Sequence, residues 1–152
     1  MSEYENLKLD HQLCFALYTA THALTRAYRN ALDRSGLTYT QYLVMLVLWE
    51  SNGISVNAIG HRLDLNSATL TPMLKRLESA GFITRNRSKI DERVIEVKLT
   101  DVGSNLKHEI AKAQQSVECQ TGLCHDEFIQ LRDSLHRLVE TMAESKNQKQ
   151  VA

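Results

Sequence analysis

Residues Leu63 to Arg93, LDLNSATLTPMLKRLESAGFITRNRSKIDER, constrain this chain more than any other stretch. Leu70, Met73, Leu74 and Leu77 recur at helical spacing and make one apolar stripe. Asn66 stands where a short polar side chain can cap the first turn, and Gly81 stands where a left-handed residue ends a helix. The opposite face carries Ser67, Thr69, Thr71, Lys75 and Arg76. Short donors and acceptors followed by cations suit a major groove, where hydroxyls meet base edges and phosphates and cations neutralise the backbone. Pro72 removes one amide in the second turn. It reads either as a tolerated kink or as a helix start shaped to a groove.

After Gly81 the pattern changes. Phe82, Ile83 and Thr84 have strand character, and Val94 to Leu99 alternates as a strand does. Between them lies RNRSKIDER, a polar turn rich in cations. A helix followed by such a hairpin predicts a winged helix-turn-helix. From Lys75 to Arg93 six basic residues face three acidic ones, an excess of three in a chain whose formal net charge is zero. A basic loop alone fits a solvated surface hairpin equally well. The adjoining helix is what turns the reading toward nucleic acid.

The rest of the chain is mostly helical by pattern. A long helix is expected from Asp10, its cap, to about Ser35, with Gly36 ending it. Its apolar face is Leu13, Leu17, Leu24, Tyr28 and Leu32, broadened by Phe15, Tyr18 and Ala31. Thr38 and Gln41 make a capping box for a helix so apolar in its middle that it must be buried. Asn52-Gly53 is a turn, Ile54 a third short strand for the wing, and Ser55 the cap of a short helix with Val56, Ile59 and Leu63 inward. Asp64-Leu65-Asn66 is the tight turn into the recognition helix. Thr100 caps one continuous helix to Gln120, with Val102, Leu106, Ile110, Ala113 and Val117 inward. A break at Thr121-Gly122 precedes a last helix from about His125 to Glu144, with Phe128, Leu131, Leu135, Leu138 and Met142 inward. Met1 to Lys8 reads as frayed, and the tail SKNQKQVA as disordered by composition.

The fold class is therefore mainly α (α+β): a single winged helix-turn-helix domain over residues 1–152, with a DNA-binding lobe at 37–99. Residues 10–35 and 101–144 supply long terminal helices with more apolar surface than one subunit can cover. A two-fold homodimer buries that surface and presents two recognition helices to a pseudo-palindromic double-stranded operator. With 152 residues and 43% hydrophobic content, one domain with a real core is expected. No apolar run approaches membrane-spanning length and MSEYENLKLDHQ is not a secretory signal, so a cytoplasmic protein without membrane contact is the default expectation. Three cysteines in such a compartment argue for free thiols, and neither they nor the six histidines show metal-ligand spacing. No cofactor is expected.

The stretches LTYTQYLVMLVLWE, LNSATLTPMLKRLESAGFITR and DERVIEVKLTDVG make the chain resemble the MarR family of bacterial transcription regulators, from about Gln12 to Met142. The last holds that family's wing signature, an acidic residue two before an arginine: Asp91 and Arg93. The resemblance implies that Arg93 reaches the minor groove and that Asp91 holds a recognition-helix cation such as Arg76. With it, the candidate DNA contacts are Asn66, Ser67, Thr69, Thr71, Pro72, Lys75, Arg76, Arg85, Arg87, Ser88, Lys89, Asp91 and Arg93.

The run QLCFALYTATHALTRAYRNALDRSGLTYTQYLVMLVLWE is similar to the organic-hydroperoxide-sensing (OhrR-like) subgroup. That resemblance implies a peroxide-reactive thiol at Cys14, supported by Tyr28 and Tyr39 with Tyr18 from the other subunit, and a resolving thiol at Cys119, with Cys124 as the alternative. The residues by themselves leave Cys14 open. A first-turn position favours a thiolate, Asp10 nearby works against it, and a helical cysteine is often an inert packing residue. Three functions follow: a repressor that an organic hydroperoxide releases from its operator, a repressor released by a small aromatic ligand, and a thiol peroxidase. No basic residue flanks Cys14 to activate a peroxide for turnover, and a peroxidase has no use for a winged domain, so the chain is read as no enzyme.

Overall fold

The computed structural model describes Tyr4 and residues 7–150, the last five of these by backbone only. The chain forms two compact units, Met1–Val117 and Glu118–Ala152. In the first, a short 3-10 turn at Leu9–His11 precedes α1 (Leu13–Leu32), and a second such turn at Asp33–Ser35 ends at left-handed Gly36. There follow α2 (Tyr39–Glu50), β1 (Ile54–Ser55), α3 (Val56–Leu63), α4 (Ser67–Ser79), β2 (Ile83–Arg87), β3 (Ile95–Leu99), α5 (Asp101–Asn105) and α6 (Lys107–Gln120). The second unit contains the end of α6 and α7 (His125–Gln150). Among the described residues no helix is long and apolar enough to cross a membrane.

Local signals account for most boundaries. Thr38 and Gln41 exchange side-chain and backbone hydrogen bonds as a complete capping box. Ser55 and Thr100 cap α3 and α5 by accepting the Ala58 and Gly103 amides. Ile54 pairs with Val97, so β1 joins the hairpin as the third strand in the antiparallel order β1-β3-β2. The core lies where these elements meet: Leu32, Val44, Met45, Leu48, Ile59, Leu70, Leu74, Leu77, Ile83 and Val97 are all essentially inaccessible. Gly103 sits so close to the start of the wing that a Cβ there would lie 2.0 Å from the Phe82 carbonyl oxygen, and the Trp49 indole donates to the Gly103 carbonyl at 3.0 Å. These two contacts press α5 onto β2 and α2.

Several expectations need correction. Asp10 does not cap α1: it lies in the 3-10 turn, and Gln12 occupies the cap position without a side-chain bond. The strand β2 runs on through Arg87, so the wing loop is shorter than the polar run suggested; Arg85–Val97 and Arg87–Ile95 are cross-strand pairs. The helix expected from Asp101 to Gln120 is divided at Leu106, and Val102 is exposed rather than inward. Of the α7 positions expected inward, Phe128, Leu135 and Leu138 are half-buried, whereas Leu131 and Met142 are exposed. The tail expected to be disordered from Ser145 is helical to Gln150; Val151 and Ala152, with Met1–Glu3, Glu5 and Asn6 of the frayed end, lie outside the described residues.

Candidate nucleic-acid interface and thiol positions

The turn into α4 is built by Asp64 and Gly60. Asp64 takes a left-handed conformation, φ 52°, as an aspartate can, and the Leu65 amide returns to the Gly60 carbonyl at 2.9 Å. A Cβ on Gly60 would lie 2.7 Å from the Leu65 carbonyl oxygen, so the residue type and the sharp turn go together. Asn66 then caps α4, its side-chain oxygen accepting the Thr69 amide at 2.8 Å. Leu70, Leu74 and Leu77 are buried and Met73 half-buried, which turns Asn66, Ser67, Thr69, Pro72, Lys75 and Arg76 outward; Thr71 is half-buried at the edge of that face. The helix continues through Pro72. Its missing amide leaves the Ala68 carbonyl without its usual intrahelical donor.

The wing is fastened to this helix by Glu78. Its carboxylate accepts the Arg85 amide at 3.0 Å, Nε at 3.0 Å and Nη2 at 2.6 Å. The Arg85 guanidinium, with its hydrogen bonds, holds the Glu78 carboxyl below the ordinary glutamate range despite some desolvation, and the Arg85 amide adds to this. Arg85 is therefore engaged within the protein. Arg87 and Lys89 point out along the wing. Ser88 is buried: its amide donates to the Val94 carbonyl at 2.8 Å and its Oγ accepts the Ile90 amide at 3.3 Å, a turn-forming part rather than a surface contact. Asp91 accepts the Arg93 amide at 3.0 Å. Among the described residues no ion pair joins Asp91 to Arg76, so the helix-to-wing tie runs through Glu78 and Arg85 instead. Arg93 and Thr71 line one groove of about 190 Å³ with Asn57, Arg85 and Ile95, so a wing arginine and a recognition-helix hydroxyl converge.

The three thiols are free and exposed. Cys14 is the second residue of α1, one turn before Tyr18 on the same helix face. Tyr18 packs against His22 in a tilted arrangement, ring centroids 4.2 Å apart. Tyr28 and Tyr39 lie elsewhere. They cluster with Tyr42, with centroids 5.0 Å apart for Tyr28–Tyr42 and 5.5 Å for Tyr28–Tyr39. Burial first, then a hydrogen bond with Tyr28 and the neighbouring rings, pushes the Tyr42 hydroxyl far above the ordinary tyrosine range; burial also raises Tyr39. Fourteen residues of helix separate Cys14 from Tyr28, about 21 Å along the axis. Within one chain they cannot touch. Tyr42 and Glu78 escaped the sequence reading, although Tyr42 stands three residues after Tyr39 and so shares its helix face. In the second unit, Cys119 is the penultimate residue of α6. Cys124 opens α7: its amide donates to Glu127 at 2.9 Å, and that bond, with one from the Cys124 thiol, lowers the Glu127 carboxyl.

Residues 26–110 match the family described as transcriptional regulator SarA/Rot. The HTH-type transcriptional regulator TtmR of Methylorubrum extorquens is 52% identical over 127 residues, 84% of this chain but 65% of its own length. The organic hydroperoxide resistance transcriptional regulator of Bacillus subtilis is 39% identical over 141 residues, 93% of this chain and 96% of that protein. Among solved structures, AbfR of Staphylococcus epidermidis superimposes with a TM-score of 0.79 at 38% identity, covering 95% of this chain and 99% of that one. AbfR has also been solved reduced and bound to DNA, with a TM-score of 0.78, 36% identity and coverage of 95% and 98%. A disulfide-formed AbfR matches with a TM-score of 0.67, 37% identity and coverage of 93% and 94%.

Proposed function

This chain belongs to the SarA/MarR-type family of winged-helix transcriptional regulators, DNA-binding proteins and not enzymes, and we propose that it is a repressor which an organic hydroperoxide releases from its operator by oxidising Cys14. The observation that carries the reading is the place of Cys14: an exposed thiol in the first turn of α1, in a chain whose α4 and wing present a cationic, hydroxyl-bearing face. The thiolate takes the terminal peroxide oxygen, the O–O bond breaks, and the alcohol leaves with a proton; sulfur is oxidised to sulfenic acid. A second thiol then displaces water from the sulfenic acid and forms a disulfide. Similarity to the organic hydroperoxide resistance regulator of Bacillus subtilis and to AbfR, solved both reduced and disulfide-formed, supports this chemistry.

The working form in this reading is a homodimer. Leu13, Tyr18 and Leu24 of α1 are large apolar side chains exposed among the described residues. Two α1 helices crossing antiparallel about a two-fold axis bring Cys14 of one subunit toward the Tyr28–Tyr39 cluster of the other and cover these side chains in both. That arrangement gives Tyr28 and Tyr39 the thiol-supporting role which one chain alone denies them. Tyr18 takes part from the same chain as Cys14. Cys119 is taken as the resolving thiol, with Cys124 at the start of α7 as the alternative; both are free and exposed.

The test uses single serine variants with an operator-binding assay and a non-reducing gel. Cys14→Ser protein is expected to bind DNA and to ignore an organic hydroperoxide. Cys119→Ser protein is expected to react yet form no linked dimer; a linked dimer from it transfers the resolving role to Cys124. A second reading draws on a cavity of about 490 Å³ lined by Thr25, Arg29, Asp33 and Tyr39, which suits a small aromatic acid. Release of DNA by such an acid from Cys14→Ser protein, without peroxide, favours that reading.

A further inference from the structure

The wing ends in an isoleucine that the DNA-binding reading does not use. Ile90 is 97% exposed, more than any other large apolar side chain among the described residues. A lone exposed isoleucine is ordinary on a protein surface. This one differs in its mounting. Ser88 is buried beneath it and its Oγ takes the Ile90 amide, the Ser88 amide closes onto Val94, and Asp91 ties both the Arg93 and Val94 amides. The tip is thus a hydrogen-bonded turn that holds Ile90 outward, between Lys89 and the Asp91–Arg93 turn.

The reach of the wing says what the tip meets. Five residues of β2 span roughly 17 Å at about 3.4 Å each. With α4 in a major groove, the neighbouring minor groove lies about half a helical turn away, roughly 17 Å of the 34 Å repeat. Lys89 and Arg93 flank Ile90 with the charge that a minor groove attracts. An apolar side chain delivered there has base steps as its only dry surface, and such side chains unstack them and kink the duplex.

We propose that Ile90 is an apolar wedge: the wing tip enters the minor groove beside the sequence read by α4, and Ile90 presses into one base step and opens it. The proposal rests on the reading of α4 and the wing as the DNA interface. It adds a specificity determinant that makes no hydrogen bond to any base. The chain then prefers operators with a flexible pyrimidine–purine step under each wing, where opening costs least.

The probe is a set of duplexes enriched from a random library by the reduced full-length protein, with the wing position located by hydroxyl-radical footprinting. Ile90→Ala is expected to keep the wild-type melting temperature, to bind about tenfold more weakly, and to keep the salt dependence, since no charge is lost. Ile90→Leu is expected to bind as the wild type does. With 2-aminopurine at the step under the wing, the wild type is expected to raise its fluorescence and Ile90→Ala is not. Replacing that step with an A-tract is expected to weaken the wild type and to leave Ile90→Ala unchanged. Equal affinity of Ile90→Ala and wild type, or no fluorescence rise with the wild type, overturns the wedge. If in that case Arg93→Ala still loses affinity, the DNA interface stands and only the wedge is wrong. If the wild type enriches no duplex at all, the interface falls and the wedge with it.

Discussion

At the scale of single residues, Arg93 and Lys75 are proposed to do different work on DNA. Arg93 lines a groove of the protein between wing and recognition helix; in the proposed complex it enters a DNA minor groove, where an inserted cation gains from the negative potential. Lys75 stands on the exposed face of α4, suited to a phosphate. Arg93→Ala is expected to weaken operator binding by about 1–3 kcal/mol and to relax sequence preference near the wing, whereas Lys75→Ala weakens all sequences alike and lowers the salt slope by about one. Titrations of both variants at several salt concentrations check this; equal losses on operator and random DNA for Arg93→Ala contradict its assigned role. Asn66, Thr38, Ser55 and Thr100 were legible as caps because a cap depends on a side chain and an amide three residues on, all within one local stretch. The tyrosine cluster was only half legible. Tyr28 reaches Tyr39 and Tyr42 through the packing of α1 on α2, which no local spacing records.

At the scale of elements the recognition helix and the wing act as one piece because Glu78 grips Arg85. The pairing crosses from a helix end to a strand, so sequence reasoning assigned the cation to DNA and overlooked the acid. Asp91, read as the partner of a helix cation, closes its own turn instead, a bond available two residues away. Glu78→Gln is expected to leave the fold intact, to speed amide exchange at Arg85, and to weaken operator binding even though loss of a negative charge by itself favours a polyanion. An exchange rate equal to the wild type's overturns the fastening role. The sign of the pH dependence follows from the lowered Glu78 carboxyl. The ionised form is favoured in the folded protein, so the contribution is present above the ordinary glutamate value of 4.5 and fades as pH falls below it through the depressed folded value. Wing protection, taken as the exchange rate relative to the intrinsic rate at each pH, is expected to fall over that window in the wild type and to stay unchanged with pH in Glu78→Gln.

At the scale of the whole molecule, the exposed stripe of α1 and, within the second unit, the exposed Leu131, Val139 and Met142 of α7 argue for association. Sedimentation equilibrium at micromolar concentration is expected to show a species of twice the 17.3 kDa chain. A chain ending before Phe128 is expected to aggregate or unfold; a soluble, folded monomer from that truncation contradicts the dimer. The winged core was legible because its apolar periodicities, caps and turns all agree. The terminal helices were legible as elements, and the exposure of Leu13 and Leu24 in one chain agrees with the surplus apolar face expected of α1, whereas Leu131 and Met142, expected inward on α7, are exposed.

One measurement tests the switch most directly. Reduced protein on fluorescent operator DNA is titrated with an organic hydroperoxide, and each sample is split between anisotropy and non-reducing mass analysis of the Cys14 peptide. The account predicts that the fraction of DNA released tracks the fraction of Cys14 oxidised, and that Cys14→Ser protein releases none. DNA leaving while Cys14 remains a thiol, or DNA staying bound when Cys14 is fully oxidised, contradicts it.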